Sequence, residues 1–403
     1  MTDRMQCRSC RRVLPLGVLI LGGTAAAASA AFLDVTATHV PAADQLHALD
    51  AAFVDVDKDG DLDVVLAVEG AVNRLYINDG SARLSWREGA FGTVAHDTEH
   101  VLSADFNRDG SADVMFIAED DQVHQLFFGD GKGGFTDASD RLPARSEGNG
   151  FAIGDVNGDG FVDIALGNTG KGARNFLWLS DPSRPGYFID ASKTNLPDLE
   201  NATQDIALAD LDGDGDLDMV LANEVPPNRL LLNDGRGRFA DASDRLVSSV
   251  PLHTREVHVF DATGDGKPDL LFLNLTSNAR QYERDPQARL LVNDGRGRFV
   301  DESARRLPVN TFSSWGGAVL DCNDDGHPDL IVGAIEVPGF KPLQARAYTN
   351  DGKGNFKDAT AGILPASVVG RSWSMAVGDL NGDGKDDVFI GGWGTQARLL
   401  LRK

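Results

Sequence analysis

The chain has 403 residues, a formal net charge of −23 and 42 % hydrophobic residues. This length exceeds what one small core uses, so it predicts several domains or one large repeat architecture. The hydrophobic content excludes a disordered acidic chain. No basic run interleaved with aromatic residues is present, which argues against nucleic acid and anionic membranes as partners. The 45 glycines favour many short strands joined by tight turns.

Residues 1–30 have the pattern of an export signal. Positive charges come first, at Arg4, Arg8, Arg11 and Arg12. An apolar run, VLPLGVLILGG at 13–23, is followed by small residues that include an Ala28-Ser29-Ala30 cleavage box. We predict a cleaved signal peptide over 1–30, a mature chain over 31–403 without membrane insertion, and a secreted or periplasmic location. The alternative is an uncleaved membrane anchor, for which the apolar run is short.

The same segment contains a pair of arginines and two of the three cysteines. The residues around Arg11 and Arg12 match a twin-arginine signal poorly, which favours the general secretory route. Cys7 and Cys10 lie in the part to be removed, so they receive no redox or zinc role. The predicted mature chain keeps only Cys322, which excludes an intrachain disulfide.

A nine-residue acidic pattern, D-x-[D/N/T]-x-D-G-x-x-D, follows and occurs seven times. The stretch DLDGDGDLD at 210–218 is one copy. Two carboxylates about 4 Å apart repel by roughly 4 kcal/mol at a surface-like dielectric, so this crowding requires open solvent or a bound cation. The copies begin at Asp55, Asp105, Asp155, Asp210, Asp261, Asp321 and Asp379. This near-even spacing predicts a repeat architecture.

The flanks of each copy predict four strands per repeat. A short apolar strand precedes the loop, as in AAFV before Asp55, and another follows it, as in VVLA at 64–67. A third strand leads into an Asn-Asp-Gly or similar turn, which is a strong hairpin signal. A fourth strand has the pattern F-x-D-x-[S/T/E]. Four antiparallel strands in about 50 residues are typical of a propeller blade.

The two ends of the predicted mature chain complement each other. The seventh repeat stops after its third strand, ARLLLRK, while the mature N-terminus begins with FLDVT at 32–36. We therefore predict an all-β fold, a single seven-bladed β-propeller of four-stranded antiparallel blades, closed by the N-terminal strand completing the last blade. Closure removes the exposed strand edges. An open solenoid is the alternative, and it would need caps on both edges.

The acidic loop resembles the first nine positions of an EF-hand calcium loop. Side-chain oxygens at positions 1, 3 and 5 and a backbone carbonyl at position 7 face one point, and Gly at position 6 permits the turn. Position 9 takes the place of the distal Glu. The candidate metal residues, in loop order at positions 1, 3, 5, 7 and 9, are Asp55, Asp57, Asp59, Asp61, Asp63; Asp105, Asn107, Asp109, Ser111, Asp113; Asp155, Asn157, Asp159, Phe161, Asp163; Asp210, Asp212, Asp214, Asp216, Asp218; Asp261, Thr263, Asp265, Lys267, Asp269; Asp321, Asn323, Asp325, His327, Asp329; and Asp379, Asn381, Asp383, Lys385, Asp387.

All-oxygen, carboxylate-rich loops select Ca²⁺ over Mg²⁺ and zinc. We predict up to seven Ca²⁺, one per blade, and the fifth site as the weakest because Thr263 replaces a charged or amide ligand. Position 7 accepts Phe161 and Lys267, so it serves through its carbonyl, which leaves the Asp216 side chain free. The alternative for any single copy is an ordinary Asx-turn between strands.

The loop and its four-strand repeat resemble the FG-GAP/VCBS-type repeat, which occurs in the integrin alpha propeller and in many exported bacterial proteins. The resemblance covers about residues 32–402. It implies a seven-bladed propeller with calcium between the first two strands of each blade. It implies no single function, because similar proteins adhere, bind ligands or glycans, or form non-catalytic parts of larger proteins.

The face opposite the calcium loops differs from repeat to repeat, so we predict that it binds a protein or glycan ligand. The predicted groove lies over the last three blades, lined by Trp315, Trp373, Trp393, Tyr282, Arg255 and Arg371. Exposed Trp and Arg suit a sugar or a protein hot spot. The alternative for each tryptophan is packing between blades.

Catalysis has little support in the sequence. No nucleophile elbow, zincin motif, phosphate loop or dinucleotide fingerprint is present. Carboxylate pairs are too frequent to single out a glycosidase site. Because some calcium-loop propellers are similar to polysaccharide lyases, a lyase or related sugar-active enzyme is the alternative to a binding module.

Overall fold

The computed structural model of the chain describes residues 30–42, 46–170, 172–225, 227–248, 252–275, 286–337, 341–370 and 374–403. Nearly all of the predicted signal segment, residues 1–29, lies outside this part. The described residues form an all-β fold of antiparallel four-stranded sheets.

Seven repeat units, each of four antiparallel strands, follow one another along the described chain. Their strands, from the first to the fourth of each unit, are His47–Val54, Asp63–Ala71, Arg74–Asn78 and Leu84–Trp86 (unit 1); His96–Ala104, Asp113–Ala118, Gln125–Gly129 and Phe135–Asp137 (unit 2); Gly148–Gly154, Asp163–Asn168, Phe176–Ser180 and Phe188–Asp190 (unit 3); Thr203–Ala209, Asp218–Asn223, Arg229–Asn233 and Phe239–Asp241 (unit 4); Thr254–Phe260, Asp269–Asn274, Arg289–Asn293 and Phe299–Asp301 (unit 5); Gly317–Leu320, Asp329–Val332, Arg346–Asn350 and Phe356–Asp358 (unit 6); and Met375–Gly378, Asp387–Ile390, Arg398–Arg402 and Phe32–Asp34 (unit 7).

The fourth strand of unit 7 comes from the N-terminal end of the chain. Phe32 pairs with Arg402 and Asp34 pairs with Leu400 in an antiparallel ladder. The pairing of the FLDVT strand with the last strand of the chain is what the sequence predicts.

The F-x-D-x-[S/T] motif has a local structural reason. In unit 3, the Asp190 carboxylate accepts hydrogen bonds from the amide and hydroxyl of Ser192, which starts a single helical turn. The Ser192 hydroxyl in turn accepts a hydrogen bond from the Leu177 amide on the third strand, at 2.9 Å. The one-turn α-helices are Thr36–His39, Ser192–Asn195, Ser303–Arg306 and Thr360–Ile363, and the one-turn 3₁₀ helices are Ser139–Arg141 and Ser243–Arg245.

Unit 7 makes the same contact with residues from the other end of the chain. The Thr36 hydroxyl accepts a hydrogen bond from the Leu399 amide at 3.0 Å. Thr36 therefore occupies, in unit 7, the position that Ser192 occupies in unit 3.

The core lies between the units. Among the described residues, seven clusters of buried apolar side chains are each shared by two consecutive units, and one of these joins unit 7 to unit 1 through Phe389, Leu399, Val64 and Tyr76. A smaller eighth cluster contains Leu275, Trp315 and Ile335. No unit buries its strands alone, so each sheet depends on its neighbours for stability.

A polar contact repeats between neighbouring units. The side-chain amide of an Asn at the end of the third strand donates to the carbonyl at loop position 2 of the preceding unit. The pairs are Asn233 to Val156, Asn293 to Leu211, Asn350 to Ala262 and Asn78 to Leu380, at 2.7–2.9 Å. The last pair links unit 1 to unit 7 across 302 positions of sequence.

Five further strands break the repetition, all beyond what the sequence predicts. Leu246–Val247 pairs in parallel with the fourth strand of unit 5, and Gly392–Trp393 pairs with the first strand of unit 1. The other three, Ile335–Glu336, Lys341–Gln344 and Val369–Gly370, form a small sheet over units 6 and 7. This small sheet lies at the end opposite the acidic loops, because it follows the second strand of unit 6.

Units 1 and 2 are also joined by strand pairing. The second strand of unit 1 has nine residues, whereas its counterparts in units 2 to 5 have six. Its extension pairs with the first strand of unit 2, which places Glu69 opposite Asp97 and Ala71 opposite His96.

Candidate metal loops and the opposite face

The first carboxylate of each acidic loop closes the turn on itself. Its Oδ2 accepts the backbone N–H of the position-6 glycine in all seven loops, at 2.7–3.2 Å. That glycine has a positive φ throughout, from 80° at Gly266 to 97° at Gly60, a region that other residues rarely adopt. The invariant glycine is therefore a requirement of the loop backbone.

The last carboxylate, at position 9, is fully buried in every loop. Its two oxygens accept two backbone N–H groups, one from loop position 2 and one from the end of the third strand. In unit 1 these donors are Val56 at 3.1 Å and Asn78 at 2.9 Å. The other six loops repeat both contacts. Position 9 thus ties the loop to the third strand of its own unit.

Burial and the neighbouring loop carboxylates raise the pKa of every position-9 aspartate, although the two amides oppose this. The value is about 7 for Asp163 and about 6 for Asp63, Asp113, Asp218, Asp269, Asp329 and Asp387. A cation held by the loop would favour the charged form.

In three loops, position 3 carries a buried oxygen atom that has no hydrogen-bond partner among the described residues. These atoms are Asp57 Oδ1, Asp212 Oδ1 and Thr263 Oγ1. A buried oxygen without a donor is costly, and a metal ion within the loop removes that cost. In loops 1 and 4, carboxylate oxygens from positions 1, 3 and 9 lie within 4.8 Å of one another, as ligands of a single ion do.

Four loops have asparagine at position 3. In these loops the amide nitrogen donates to the position-5 carboxylate, and the amide oxygen accepts the position-5 N–H, as for Asn107 and Asp109. The same arrangement occurs at Asn157, Asn323 and Asn381. The amide oxygen has a second lone pair that remains available to a metal ion.

Position-7 side chains lie over the turn between the third and fourth strands. A Cβ built on Gly80 would stand 2.4 Å from Asp61 Oδ2, and one on Gly235 would stand 2.5 Å from Asp216 Oδ2. Phe161 instead lies under the Arg108 guanidinium, whose central carbon is 3.9 Å from the centroid of the Phe161 ring. The side chain of position 7 thus faces away from the loop centre.

Three of the six residues predicted to bind a ligand, Trp315, Trp393 and Arg255, are among the described residues. The other three, Tyr282, Arg371 and Trp373, lie outside them. Trp315 is 6 % exposed and packs with Leu275, Ile335 and Trp393, which is the packing alternative considered for it. Trp315 and Trp393 meet edge to face, with ring centroids 6.0 Å apart.

Arg255 lies next to this tryptophan pair. Its guanidinium donates to the Gln204 side chain and stands 5.9 Å from the centroid of the Trp315 ring. Trp393 donates its indole N–H to Glu69 Oε2 at 2.8 Å, and its ring is 5.1 Å from that of His47. The structure therefore brings Arg255, Trp315 and Trp393 into one region, with Glu69 beside them.

A second set of polar and charged side chains lines a cavity of about 400 Å³ between the first strands. These residues stand five positions before each loop and include Asp50, His100, Asp205, Glu256 and Ser374. In units 1, 2, 4 and 5 the strand has a bulge one residue earlier, at Leu49, Glu99, Gln204 and Arg255.

Several of these carboxylates join adjacent first strands. Asp50 accepts the Val101 amide at 3.1 Å, Asp205 accepts the Val257 amide at 2.9 Å, and Glu256 accepts the Gly317 amide at 2.7 Å. Between units 7 and 1, the Ser374 hydroxyl donates to Asp50 at 2.5 Å. The cavity wall is thus cross-linked by polar groups as well as by packing.

The cavity also holds two histidines paired with acids. Burial lowers the pKa of His100, but the hydrogen bond and charge of Asp50 outweigh burial and raise it to about 9. Burial also lowers the pKa of His258, but the charge of Glu256 outweighs burial and raises it. The Glu256 carboxylate lies 3.1 Å from the His258 ring nitrogen. Burial raises the pKa of Asp205 to about 7 despite the nearby His100 charge.

Of the residues predicted for the ligand groove, Arg255, Trp315 and Trp373 stand six positions before their acidic loops, and the cavity-lining position next to them was missed. A signal was present, because the residues five positions before the loops include Asp50, His100, Asp205 and Glu256, whereas no charged residue stands four positions before any loop. Strand alternation alone assigns faces correctly only when no bulge intervenes.

Comparison with known proteins assigns the repeats. The family model described as FG-GAP-like repeat matches residues 55–116, 105–166, 155–221, 210–272 and 339–390, which together span more than half of the chain. No helix among the described residues is long and apolar enough to cross a membrane.

Curated relatives include cartilage acidic protein 1 and an integrin alpha. The chain is 31 % identical to cartilage acidic protein 1 of Xenopus tropicalis over 232 residues, or 55 % of this chain and 33 % of that protein. It is 29 % identical to the Homo sapiens protein over 46 % of this chain and 28 % of that one. It is 27 % identical to integrin alpha pat-2 of Caenorhabditis briggsae over 49 % of this chain and 18 % of that one. The matches therefore span a third or less of these relatives.

Among solved structures, the BBS1N chain crystallised in complex with ARL6DN matches with a TM-score of 0.55 and 8 % identity, over 93 % of this chain and 98 % of that one. This likeness concerns the fold alone. Taken with the five matched repeats, the acidic loops and the seven four-stranded units, these findings show that the chain belongs to the FG-GAP-like repeat family.

Proposed function

We propose that the chain is an exported, calcium-binding, seven-bladed β-propeller that binds a protein or glycan through the face opposite the calcium loops. The single observation that carries this proposal is the set of unpaired buried oxygens at loop position 3. These oxygens indicate that the loops hold a cation. If the loops serve to hold the fold together, recognition falls to the opposite face.

Closure into a ring is supported by contacts that recur between the two ends of the chain. An apolar cluster joins unit 7 to unit 1, the Asn-to-carbonyl bond occurs at this junction as at three inner ones, and the Ser/Thr-to-amide bond of unit 7 links Thr36 to Leu399. An open array would have no reason to form these contacts between its first and last units. A closed ring also removes both free strand edges.

Calcium is favoured over other ions by the ligand chemistry of the loops. The candidate donors at positions 1, 3, 5, 7 and 9 are all oxygens, and a flexible all-oxygen loop suits the coordination of Ca²⁺. Mg²⁺ requires a tighter octahedral shell with several waters, and zinc prefers nitrogen and sulfur ligands. The fifth loop, with Thr263, remains the predicted weakest site.

Ligand binding at the opposite face is supported by its asymmetry. Only units 6 and 7 carry the small additional sheet in the described part of the chain, and Trp315 packs against Ile335 of this sheet and against Trp393, with Arg255 beside the Trp315 ring. The similarity to an integrin alpha and to a protein named for cartilage supports a binding role outside the cell.

A binding experiment with matched tryptophan variants tests the proposal. The chain, with Ca²⁺ present, would be applied to immobilised polysaccharides and extracellular matrix proteins. We expect Trp393→Ala to lose binding at least about tenfold, and Trp86→Ala, which removes a 42 % exposed tryptophan from an outer strand, to retain it. Equal binding by both variants, or formation of unsaturated sugar product, would contradict the proposed role.

A further inference from the structure

We infer that a second kind of divalent-cation site lies on the face opposite the acidic loops, formed by Glu69, Asp97 and Glu99. One carboxylate oxygen from each of these residues lies within 4.8 Å of the others. Two ligands of one Ca²⁺ at 2.3–2.6 Å are at most about 5 Å apart, so the three oxygens fit one ion. The acidic-loop pattern does not include any of these residues.

The strand pairing that joins units 1 and 2 creates the cluster. Glu69 stands directly opposite Asp97 in the antiparallel ladder. Like charges in opposite positions destabilise a sheet, so this pairing calls for a compensating charge. Within the described residues, the three carboxylates have one ion pair, from His47 to Glu69 at 2.8 Å, and none with lysine or arginine.

Glu99 is the second, independent observation that points to an ion. It sits at the strand bulge of unit 2 and is only 5 % exposed. Among the described residues, no donor forms a hydrogen bond or ion pair with its carboxylate. A buried carboxylate without donors is costly in its charged form, and a bound cation removes that cost.

The other two carboxylates are held by one oxygen each and keep the second free. Both His47 and the Trp393 indole bind Glu69 through Oε2, at 2.8 Å. The Asp120 amide binds Asp97 through Oδ2, at 2.7 Å. Glu69 Oε1 and Asp97 Oδ1 therefore have no hydrogen-bond partner within the described residues. Outer contacts of this kind orient the ligands of a metal site.

The chemistry of the donors selects a hard cation, Ca²⁺ or Mg²⁺, since all are carboxylate oxygens. The site opens to solvent at Glu69, whose side chain is 31 % exposed, while Glu99 forms its base. Three protein ligands leave coordination positions for water. If the proposed function holds, a ligand hydroxyl or carboxylate would take one of these positions beside Trp393.

Counting bound ions tests the site without reference to any ligand. The chain would be stripped with chelator, returned to Ca²⁺ and examined by native mass spectrometry. Glu99→Gln keeps the shape of the side chain and removes its charge, so we expect it to hold one Ca²⁺ fewer than the wild type. Glu147→Gln, which removes a carboxylate outside the cluster, should hold the full number. An unchanged ion count in Glu99→Gln would overturn the inference.

Terbium provides a second readout that depends on position. Trp393, bonded to Glu69, should transfer excitation to Tb³⁺ in this site. We expect a component of the tryptophan-sensitised emission to disappear in Glu99→Gln and in Trp393→Phe, although Trp393→Phe should keep its ion. If Glu99→Gln fails to fold by circular dichroism, Glu69→Gln replaces it in both experiments. Emission that is the same in wild type and folded variant would contradict the site.

Discussion

The two faces of this protein follow opposite rules. The acidic loops on one face repeat the same residues and the same hydrogen bonds seven times, from the position-1 carboxylate on its glycine to the position-9 carboxylate on its two amides. On the other face, equivalent positions hold Glu99, Gln204, Arg255 and Trp315. Repetition indicates a task shared by all units, which is holding the fold, and variation indicates a task that one place performs.

Removing the metal should have the largest effect, because all seven acidic loops would lose their ions at once. If each loop binds Ca²⁺ only in the folded state, every bound ion adds about 2–3 kcal/mol to the free energy of unfolding, and chelation removes these contributions. We expect the melting temperature to fall by at least about 10 °C in chelator and to recover with Ca²⁺. Mg²⁺ at the same concentration should restore much less. A melting temperature insensitive to chelator would contradict metal-held loops.

Within one loop, two aspartates should separate structural support from metal ligation. Asp218→Ala leaves two buried amides without acceptors, so it should lower the free energy of unfolding by roughly 2–4 kcal/mol with or without Ca²⁺. Asp212→Ala removes an unpaired oxygen, so it should destabilise only when Ca²⁺ is present. Chemical unfolding in Ca²⁺ and in chelator measures both variants, and equal calcium dependence would refute the distinction.

The cavity between the faces should respond to pH through His100. Its folded pKa, about 9, lies above the ordinary value of 6.5, so its stabilising contribution is full below about 6.5 and disappears as pH rises through 9. Between pH 6 and pH 10, the free energy of unfolding of the wild type should fall by roughly 2 kcal/mol more than that of His100→Gln. The difference includes the neighbours that sense this charge, Asp50, Asp205 and Glu99. His39→Gln is the control, and a pH profile shared by wild type and His100→Gln would exclude the charged pair.

The smallest expected effect concerns Asp216. Its side chain lies over Gly235 and not in the loop centre, so Asp216→Ala should change calcium affinity and stability by less than about 0.5 kcal/mol. Calcium titration of Asp216→Ala beside Asp212→Ala measures this. A large loss of affinity in Asp216→Ala would mean that position 7 ligates through its side chain.

Prediction from sequence was most successful where a local rule governs the structure. The family assignment is confirmed, and the four strands of each unit lie where the loop and turn signals place them. The pairing of Phe32–Asp34 with Arg398–Arg402 followed from matching the motif at one end with the strand missing at the other. The signal peptide, the calcium ions and the ligand residues stay predictions.

The sequence was least informative where neighbouring units meet. The bulge at Glu99, the extension of strand Asp63–Ala71 into unit 2 and the small sheet over units 6 and 7 depend on contacts between segments distant in sequence. Burial of Trp315 is a similar case, because its packing partners come from unit 5, unit 6 and the end of unit 7. No pattern within one repeat encodes such contacts.

Local sequence is enough to specify the repeat, the turn chemistry and the loop carboxylates, since each depends on residues within about ten positions of one another and on fixed backbone geometry. Which carboxylates lie close together follows instead from how the units pack. Glu69 and Glu99 come from different units, as do Asp50 and His100, and burial between sheets sets both their separation and their charge. The physical reason is that electrostatic energy depends on distance and solvent exposure, which the packing of the units fixes.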